Sequence, residues 1–460
     1  MATESNPSWR APITAPGPQG RDMLAAIGPI RRNPLAFLTD IQRRHGDLVQ
    51  FPIPRPPTYL VSHPEDVRTL LVSGSKSQSK RTLQYDNLAT VTGNGLLTAD
   101  DPPWRERRRV MQPAFHHSEL AGVVAHTNDA VSAWVDRRHM PGQPAIVDLD
   151  EVMMELSLQV VASALFGSDW RNLAGGLTRS TVVALDSVVA RARNPLAPPR
   201  WLPTPGNRRL TAAIKTLDSA VDAVLDQRAA SASAGAAGAG DLVDLLIAGL
   251  RDRTGRLDRQ AVRDELVTFL VAGHETVASA LTWAWYLVAR HPEVADRLTA
   301  EAKAVIGDEQ LQLSDLPELP IARSVIDETL RLYPPAWVIT RRLTAPAPVR
   351  GQELPSGSLV IMSPAIVQRH PDVWSQPDTF DPGRFMGVEA RSLRGYLPFG
   401  LGPRMCIGRD FALVEATVVL AVMARHFRFE PLDSRPITPL ASVTLRPPTG
   451  LPVRVIPVSD

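Results

Sequence analysis

The chain holds a single cysteine, Cys406, in the run LPFGLGPRMCIGRDFALVEATVVLAVMARHF over residues 397–427. One thiol excludes an intramolecular disulfide, a four-cysteine zinc site and a cysteine-ligated iron–sulfur cluster. Two readings remain: a small buried hydrophobe, or a thiolate held for chemistry. The neighbours favour the thiolate. Gly400 and Gly402 permit close backbone approach to a flat cofactor, and Phe399 can keep water from the sulfur. Cys406 stands near the start of an apolar helical run, where backbone N–H groups and the positive end of the helix dipole favour an anion, and Arg404 brings a fixed cation to the same region.

Two other pairings carry chemical potential. Glu328 and Arg331 in DETLRLYPP are three apart on one helix face, where carboxylate and guanidinium can lock together. Taken alone, such a pair reads as a surface salt bridge of little worth. Trp104 and Arg108 in DPPWRERRRVMQPAF are four apart on one face, in a run whose four arginines compete for the inward position; the remainder form a solvated basic face.

The elements that must position these residues are mostly helices. Apolar residues recur at three and four positions through 151–166 and 210–230, and a pattern of unusual length runs from Asp258 to Arg290, closed by Pro292. Residues 315–335 give another helix, stopped by two prolines. Strand-like runs occur at 50–54, 58–62 and 353–367. The Pro- and Gly-rich residues 1–30 read as an extended leader, and 231–241 as a small-residue connector with Asp241 capping the next helix. GAAGAG in that connector and GNG at 93–95 lack the βαβ setting of a phosphate loop.

The 460 residues, 44% apolar and 21% charged, are those of a folded globular protein. Fifty Lys and Arg against 48 Asp and Glu leave a net charge of +2, which gives no reason to expect nucleic acid or an anionic membrane as partner. No signal segment or long apolar run appears, so the expected location is cytoplasmic, without a membrane anchor.

The segment Phe399, Gly402, Arg404, Cys406, Gly408 resembles the haem-binding signature of the cytochrome P450 family, FxxGxRxCxG, at every specified position. Further matches follow the family's order and extend the resemblance along almost the entire chain: the ExxR pair Glu328 and Arg331, Arg384 in FDPGRF, and AGHET at 272–276. The resemblance implies a mainly α cytochrome P450 fold, a helix-rich triangular body with a minor β domain, and residues 31–460 as one such domain without a fused reductase. It implies haem b with Cys406 as proximal iron ligand, and Trp104, Arg108, Arg341, Phe399, Arg404 and Gly408 as further haem contacts. Glu328, Arg331 and Arg384 form a buried structural triad. Gly273 lets the long helix approach the haem. Thr276 offers a hydroxyl that leaves the i−4 ladder to hold a water, locally opening the helix, and Glu275 relays protons as the catalytic acid. His274, a possible iron ligand by residue type, has a packing or polar role.

By the same resemblance Phe269, Ala272, Val338, Ile339 and Thr444 contact the substrate. These positions are mostly apolar, so the expected activity is monooxygenation of a hydrophobic terpenoid, fatty acid or polyketide-like molecule. Electrons come from an external ferredoxin and its reductase, and the protein is a monomer. A haem-thiolate sensor without turnover and a peroxide-driven oxygenase are the alternatives; the intact Glu275–Thr276 pair favours the monooxygenase.

Overall fold

Proline and short polar side chains set where the helices begin. The computed structural model describes residues 14–53, 56–139, 145–167, 180–181, 183–185, 187–188, 190–191, 198–233, 241–251, 254–307 and 310–458. In chain order the described helices of eight residues or more are α1 (Gly20–Arg32), α2 (Pro34–His45), α3 (Pro64–Leu71), α4 (Leu83–Thr92), α5 (Pro103–Met111), α6 (Leu120–His139) and α7 (Leu149–Phe166). After them come α8 (Pro205–Ser233), α9 (Leu242–Gly249), α10 (Arg259–Ala289), α11 (Pro292–Val305), α12 (Pro320–Leu332) and α13 (Arg409–His426). Proline opens α2, α3, α5, α11 and α12, where its missing N–H has no intrahelical partner to lose. Asp241 and Asp258 cap α9 and α10 by accepting from the N–H groups of Asp244 and Ala261, at 3.2 and 2.9 Å.

By internal contacts the chain forms two units, one of Met1–Gln84, Ala336–Thr379 and Ala390–Cys406, the other of Tyr85–Pro335, Phe380–Glu389 and Ile407–Asp460. The first carries a five-stranded sheet of β1 (Leu48–Phe51), β2 (Thr58–Val61), β3 (Gln78–Ser79), β5 (Ile339–Leu343) and β8 (Leu359–Met362), in the order β1-β2-β8-β5-β3. Only β2 and β8 run parallel. The hairpin of β6 (Ala347–Val349) and β7 (Gln352–Leu354) belongs to the same unit. Tyr59, Val61, Val360 and Met362 carry the sheet's apolar face into a core shared with Val67 and Leu71 of α3.

The second unit is helical around α10. Two small sheets accompany the helices: β4 (Ile146–Asp148), β12 (Pro452–Pro457) and β9 (Phe427–Pro431) in that order, and the short hairpin of β10 (Leu440–Ala441) and β11 (Leu445–Arg446). The 31 residues of α10 span about 46 Å. It packs on α7, and Val262, Leu266 and Leu270 of its first half join Leu158 and Leu165 in one apolar cluster.

One expectation fails at the N-terminus. Residues 1–13 lie outside the described residues, but Gly20–Ile30, read as extended, belong to the helix Gly20–Arg32. The Gln19–Asp22 capping box supplies the start, and Arg31 and Arg32 suit the negative end of the dipole. Pro29 and the flanking glycines masked that signal in the sequence. The connector read over 231–241 is helical through Ser233; its residues 234–240 lie outside the described residues.

Candidate active site

From Asp264 to Val288 every residue of α10 is buried except Ala272, Gly273 and Thr276. Spaced i, i+1 and i+4, these three lie on one face, a narrow apolar track with one hydroxyl on it. Phe269, one turn earlier, is buried against Phe115 with ring centroids 5.2 Å apart. The Thr276 hydroxyl donates to the Ala272 carbonyl at 2.7 Å, and the helix runs through 272–276 without interruption. The local opening expected there is absent, because the side chain serves the Ala272 carbonyl itself.

Gly273, expected to let α10 approach the haem, meets a second demand for glycine. A Cβ at this position would stand 2.8 Å from Cγ2 of Val161, so its absence lets α10 close against α7. His274 turns the same way. It is fully buried beside the Met154 backbone of α7; burial, aided by the Arg446 guanidinium, lowers its pKa from 6.5 to about 4 and keeps it neutral. Its place is in packing, as expected. Glu275 is buried too, and its Oε1 accepts a 3.0 Å hydrogen bond from the Thr444 hydroxyl.

The four arginines of α5 sort by partner. Arg105 pairs with Asp101 at the surface, and Arg109 is exposed. Arg108 lays its guanidinium over the buried Trp104 ring, 5.9 Å from the centroid. Arg107, one of the four left competing for the inward position, turns into the interior: it donates to Oε1 of the fully buried Glu265 at 2.7 Å. Burial pushes the Glu265 carboxyl up, against the pull of the Leu96 N–H and Arg107. Arg105, Arg108 and Arg109 border an open cleft of about 400 Å³ that also reaches Gln112 and His116.

On α12, Glu328 and Arg331 are wholly buried and locked in a two-point pair, Arg331 Nε to Oε2 at 2.6 Å and Nη2 to Oε1 at 2.8 Å. The Asp381 N–H donates to the same Oε1 at 2.9 Å, and Arg384 Nε lies 3.5 Å from it. Burial raises the Glu328 carboxyl, and the two guanidinium groups oppose that rise. The triad is therefore an interior device and not a surface salt bridge.

In the other unit, Phe399–Cys406 forms a loop closed by the Cys406 N–H donating to the Phe399 carbonyl at 2.9 Å. Gly400 and Gly402 take φ of +72° and +71°, and a Cβ on Gly402 would lie 2.2 Å from the Leu71 carbonyl at the end of α3. Close packing on α3 thus adds a second demand for glycine at 402. Arg404 ends a 3₁₀ turn over Gly402–Arg404, and no residue from Phe399 to Cys406 is buried, although Leu397 just before them is. Cys406 stands exposed three residues ahead of α13, whose N-cap is Gly408. Arg341 is buried in β5 and donates to the Thr340 carbonyl at 2.8 Å. Val338 precedes that strand and Ile339 opens it, the first partly exposed, the second buried.

Sequence reasoning missed two relationships. Asp264 and Glu265 grip the loop after α4, accepting from the Asn94 and Leu96 N–H groups at 2.8 and 3.0 Å. Adjacent acids in a run as apolar as α10 were the available signal, since a buried carboxylate requires donors. The hydroxyl of Thr444, a residue expected at the substrate, donates to Glu275; nothing in the sequence linked positions 169 residues apart.

The residues present fit a haem. A lone thiol stands in a loop bare of buried side chains, and the middle of a buried helix shows an apolar, partly exposed face beside one hydroxyl. A family model described as Cytochrome P450 matches residues 16–453. Cyclooctatin synthase of Streptomyces melanosporofaciens is 35% identical, covering 99% of this chain and 98% of that protein. Pentalenene oxygenase of Streptomyces avermitilis is 31% identical over 92% of each. The crystal structure of CYP175A1 from Thermus thermophilus superposes with a TM-score of 0.77 at 33% identity, covering 95% of this chain and 98% of that one.

Proposed function

The chain belongs to the cytochrome P450 family, and as a haem-thiolate monooxygenase of a hydrophobic small molecule it has, we propose, a terpenoid as its substrate. The observation that carries this reading is the track of Ala272, Gly273 and Thr276 with Phe269 beside it, which offers hydrocarbon contact and a single hydroxyl. Such a face rewards burial of apolar area and gives an anionic headgroup no partner. The names of the relatives, cyclooctatin synthase and pentalenene oxygenase, point the same way. Val338 and Ile339 add apolar substrate contacts in this reading.

Haem b supplies the iron that activates O2, and Cys406 holds it as a thiolate, stabilised by Arg404 and by the helix start beyond. Phe399 and Gly408 complete the sulfur's surroundings. Arg108, Arg341 and Arg404 are cations for the propionates, with Trp104 seating Arg108. Glu328, Arg331 and Arg384 have a structural role in this reading; they hold the Asp381–Arg384 backbone against α12. Glu275 carries a proton inward and Thr276 Oγ1 holds the water that receives it. Residues 31–460 act as one catalytic domain in this reading, which the family match over residues 16–453 supports.

The monooxygenase takes its electrons from a redox partner, which we assign as a ferredoxin with its reductase, docking on the basic surface of Arg105 and Arg109. No described helix is long and apolar enough to cross a membrane; a cytoplasmic monomer is the state this reading expects.

The test is a titration of the haem-loaded protein with terpenoid hydrocarbons and alcohols, medium-chain fatty acids and macrolide-type polyketides, read as the spin-state shift of the Soret band. Terpenoids are expected to give the largest shift at the lowest concentration; tighter binding of fatty acids would overturn the assignment. Cys406→Ser is expected to lose the red-shifted band of the reduced CO complex. Retention of that band would show that another residue holds the iron.

A further inference from the structure

The β10–β11 hairpin is tied to α10 by a stripe of three side chains one turn apart, Glu275, Ser279 and Trp283. Ser279 Oγ and Trp283 Nε1 both donate to the Leu445 carbonyl, each at 2.7 Å. Thr444 Oγ1 donates to Glu275 Oε1 at 3.0 Å. All four side chains are buried, at 5% exposure or less.

The hairpin has little freedom of its own. Ala441 pairs with Leu445, Ser442 N–H closes the tip on the Thr444 carbonyl at 2.9 Å, and Leu445 N–H donates to the Pro335 carbonyl at 3.2 Å. Its base is held by the ion pair of Arg446 with Asp150 of α7, which also accepts from Thr282 of α10. Two backbone anchors would fix the hairpin without Thr444. The Thr444 bond differs in kind, because it acts on a carboxylate and not on a backbone carbonyl.

A glutamate has three side-chain torsions, and burial alone does not choose among its rotamers. A β-branched hydroxyl on a doubly anchored backbone is a stiff donor, and its bond to Oε1 selects one orientation of the carboxyl plane. Thr276, the next residue, carries the hydroxyl of the partly exposed track.

We propose that Thr444 is a positioning residue for proton delivery: its hydroxyl fixes the Glu275 carboxylate in the orientation that serves the Thr276 water. The proposal rests on Glu275 being the relay acid. It reassigns Thr444 from the substrate wall, and its neighbour Val443, partly exposed and packed on the same apolar cluster as Phe269, takes that role. Wall and relay then share one short stretch of backbone.

Thr444→Val removes the hydroxyl and keeps the branched shape, Thr444→Ser keeps the hydroxyl, and Glu275→Gln tests the acid itself. Each holoenzyme is supplied with electrons by a ferredoxin and its reductase, using the terpenoid that gives the largest spin-state shift in the titration above. Readouts are the dissociation constant from that shift, product formed per NAD(P)H consumed, and the solvent isotope effect on oxidation. The Val variant is expected to keep the dissociation constant within about twofold, lose coupling about three- to tenfold and show a larger solvent isotope effect, a loss smaller than the full contribution of about 10²-fold or more expected from the acid. The Ser variant is expected to restore both. If the Val protein does not load haem, Thr444→Ala serves in its place.

Coupling unchanged in Thr444→Val while Glu275→Gln uncouples would overturn the positioning role and leave the relay intact. Weaker substrate binding with an unaltered isotope effect, or no rescue by Ser, would return Thr444 to the wall. Full coupling in Glu275→Gln would remove the relay reading and this proposal with it.

Discussion

The Thr276 hydroxyl donates to the Ala272 carbonyl one turn back on α10, at 2.7 Å. Its single proton is engaged there, so toward the partly exposed face the oxygen is an acceptor. A water on that face therefore donates to Thr276 and keeps its own lone pairs for an incoming proton. Thr276→Ala removes the acceptor and keeps the helix, since alanine is the better helix former. Haem content and substrate affinity are expected to persist, while oxidation loses part of a proton-transfer contribution of about 10²- to 10⁴-fold and more of the consumed O2 leaves as hydrogen peroxide. Product and peroxide counted per NAD(P)H check this, and unchanged coupling would move the role elsewhere.

Arg331 makes two parallel bonds to a carboxylate that also serves the Asp381 N–H and faces Arg384. Lysine offers a point charge in place of that fork and leaves one buried oxygen poorly met. Arg331→Lys is expected to cost about 3 kcal/mol or more, the range for breaking a buried pair from one side. Haem content on purification and the thermal midpoint measure it, and wild-type values for both would refute the structural role.

The arginines of α5 should separate by phenotype. Arg105→Ala, which loses only an exposed pair, is expected to stay within about 0.5 kcal/mol of wild type and to hold haem normally. Arg107→Ala strands Glu265 in the interior and is expected to cost about 3 kcal/mol. Arg108→Ala is expected to fold with near-normal stability but to release haem faster, read as transfer to apomyoglobin. Equal haem loss from the Arg105 and Arg108 variants would contradict the sorting.

His274 imposes a pH dependence with a definite sign. Its folded pKa of about 4 lies below the usual 6.5, so the unfolded chain binds the extra proton first as pH falls. The stability from keeping the ring neutral is fully present above pH 6.5 and is lost progressively toward pH 4, about 3 kcal/mol across that window. Replacing His274 with Phe is expected to flatten this part of the stability profile. Denaturant unfolding of both proteins at about pH 4.5, 5.5 and 7 measures the difference, and parallel profiles would place the acid sensitivity in other groups.

Much of this was legible in the chain because the signals are local. The FxxGxRxCxG spacing, the apolar period of α10 and the Asp241 cap of α9 each lie within a few turns, and the structure keeps them. What escaped depends on which face meets which neighbour. The spacing of Gly273 and Thr276 was plain, but not that the glycine answers to Val161 or that the hydroxyl serves its own helix. Four arginines in one turn look alike until a buried glutamate 158 residues away selects Arg107. The α1 helix was hidden by Pro29, a residue that argues against helix locally although the capping box upstream outweighs it.

The register of α10 has a consequence for how this protein can change over evolutionary time. Each residue of an α-helix turns the chain by about 100°, so one inserted or deleted residue between Asp258 and Ala272 would swing every position beyond it to a new face. The apolar track, the contact with Val161 and the stripe that holds the hairpin would all be displaced together. Substitutions along α10 can be sampled one position at a time, whereas a change in its length before Ala272 cannot. Descendants of this sequence should therefore vary freely in side chain at the exposed start of the helix while preserving the residue count from Asp258 to Trp283.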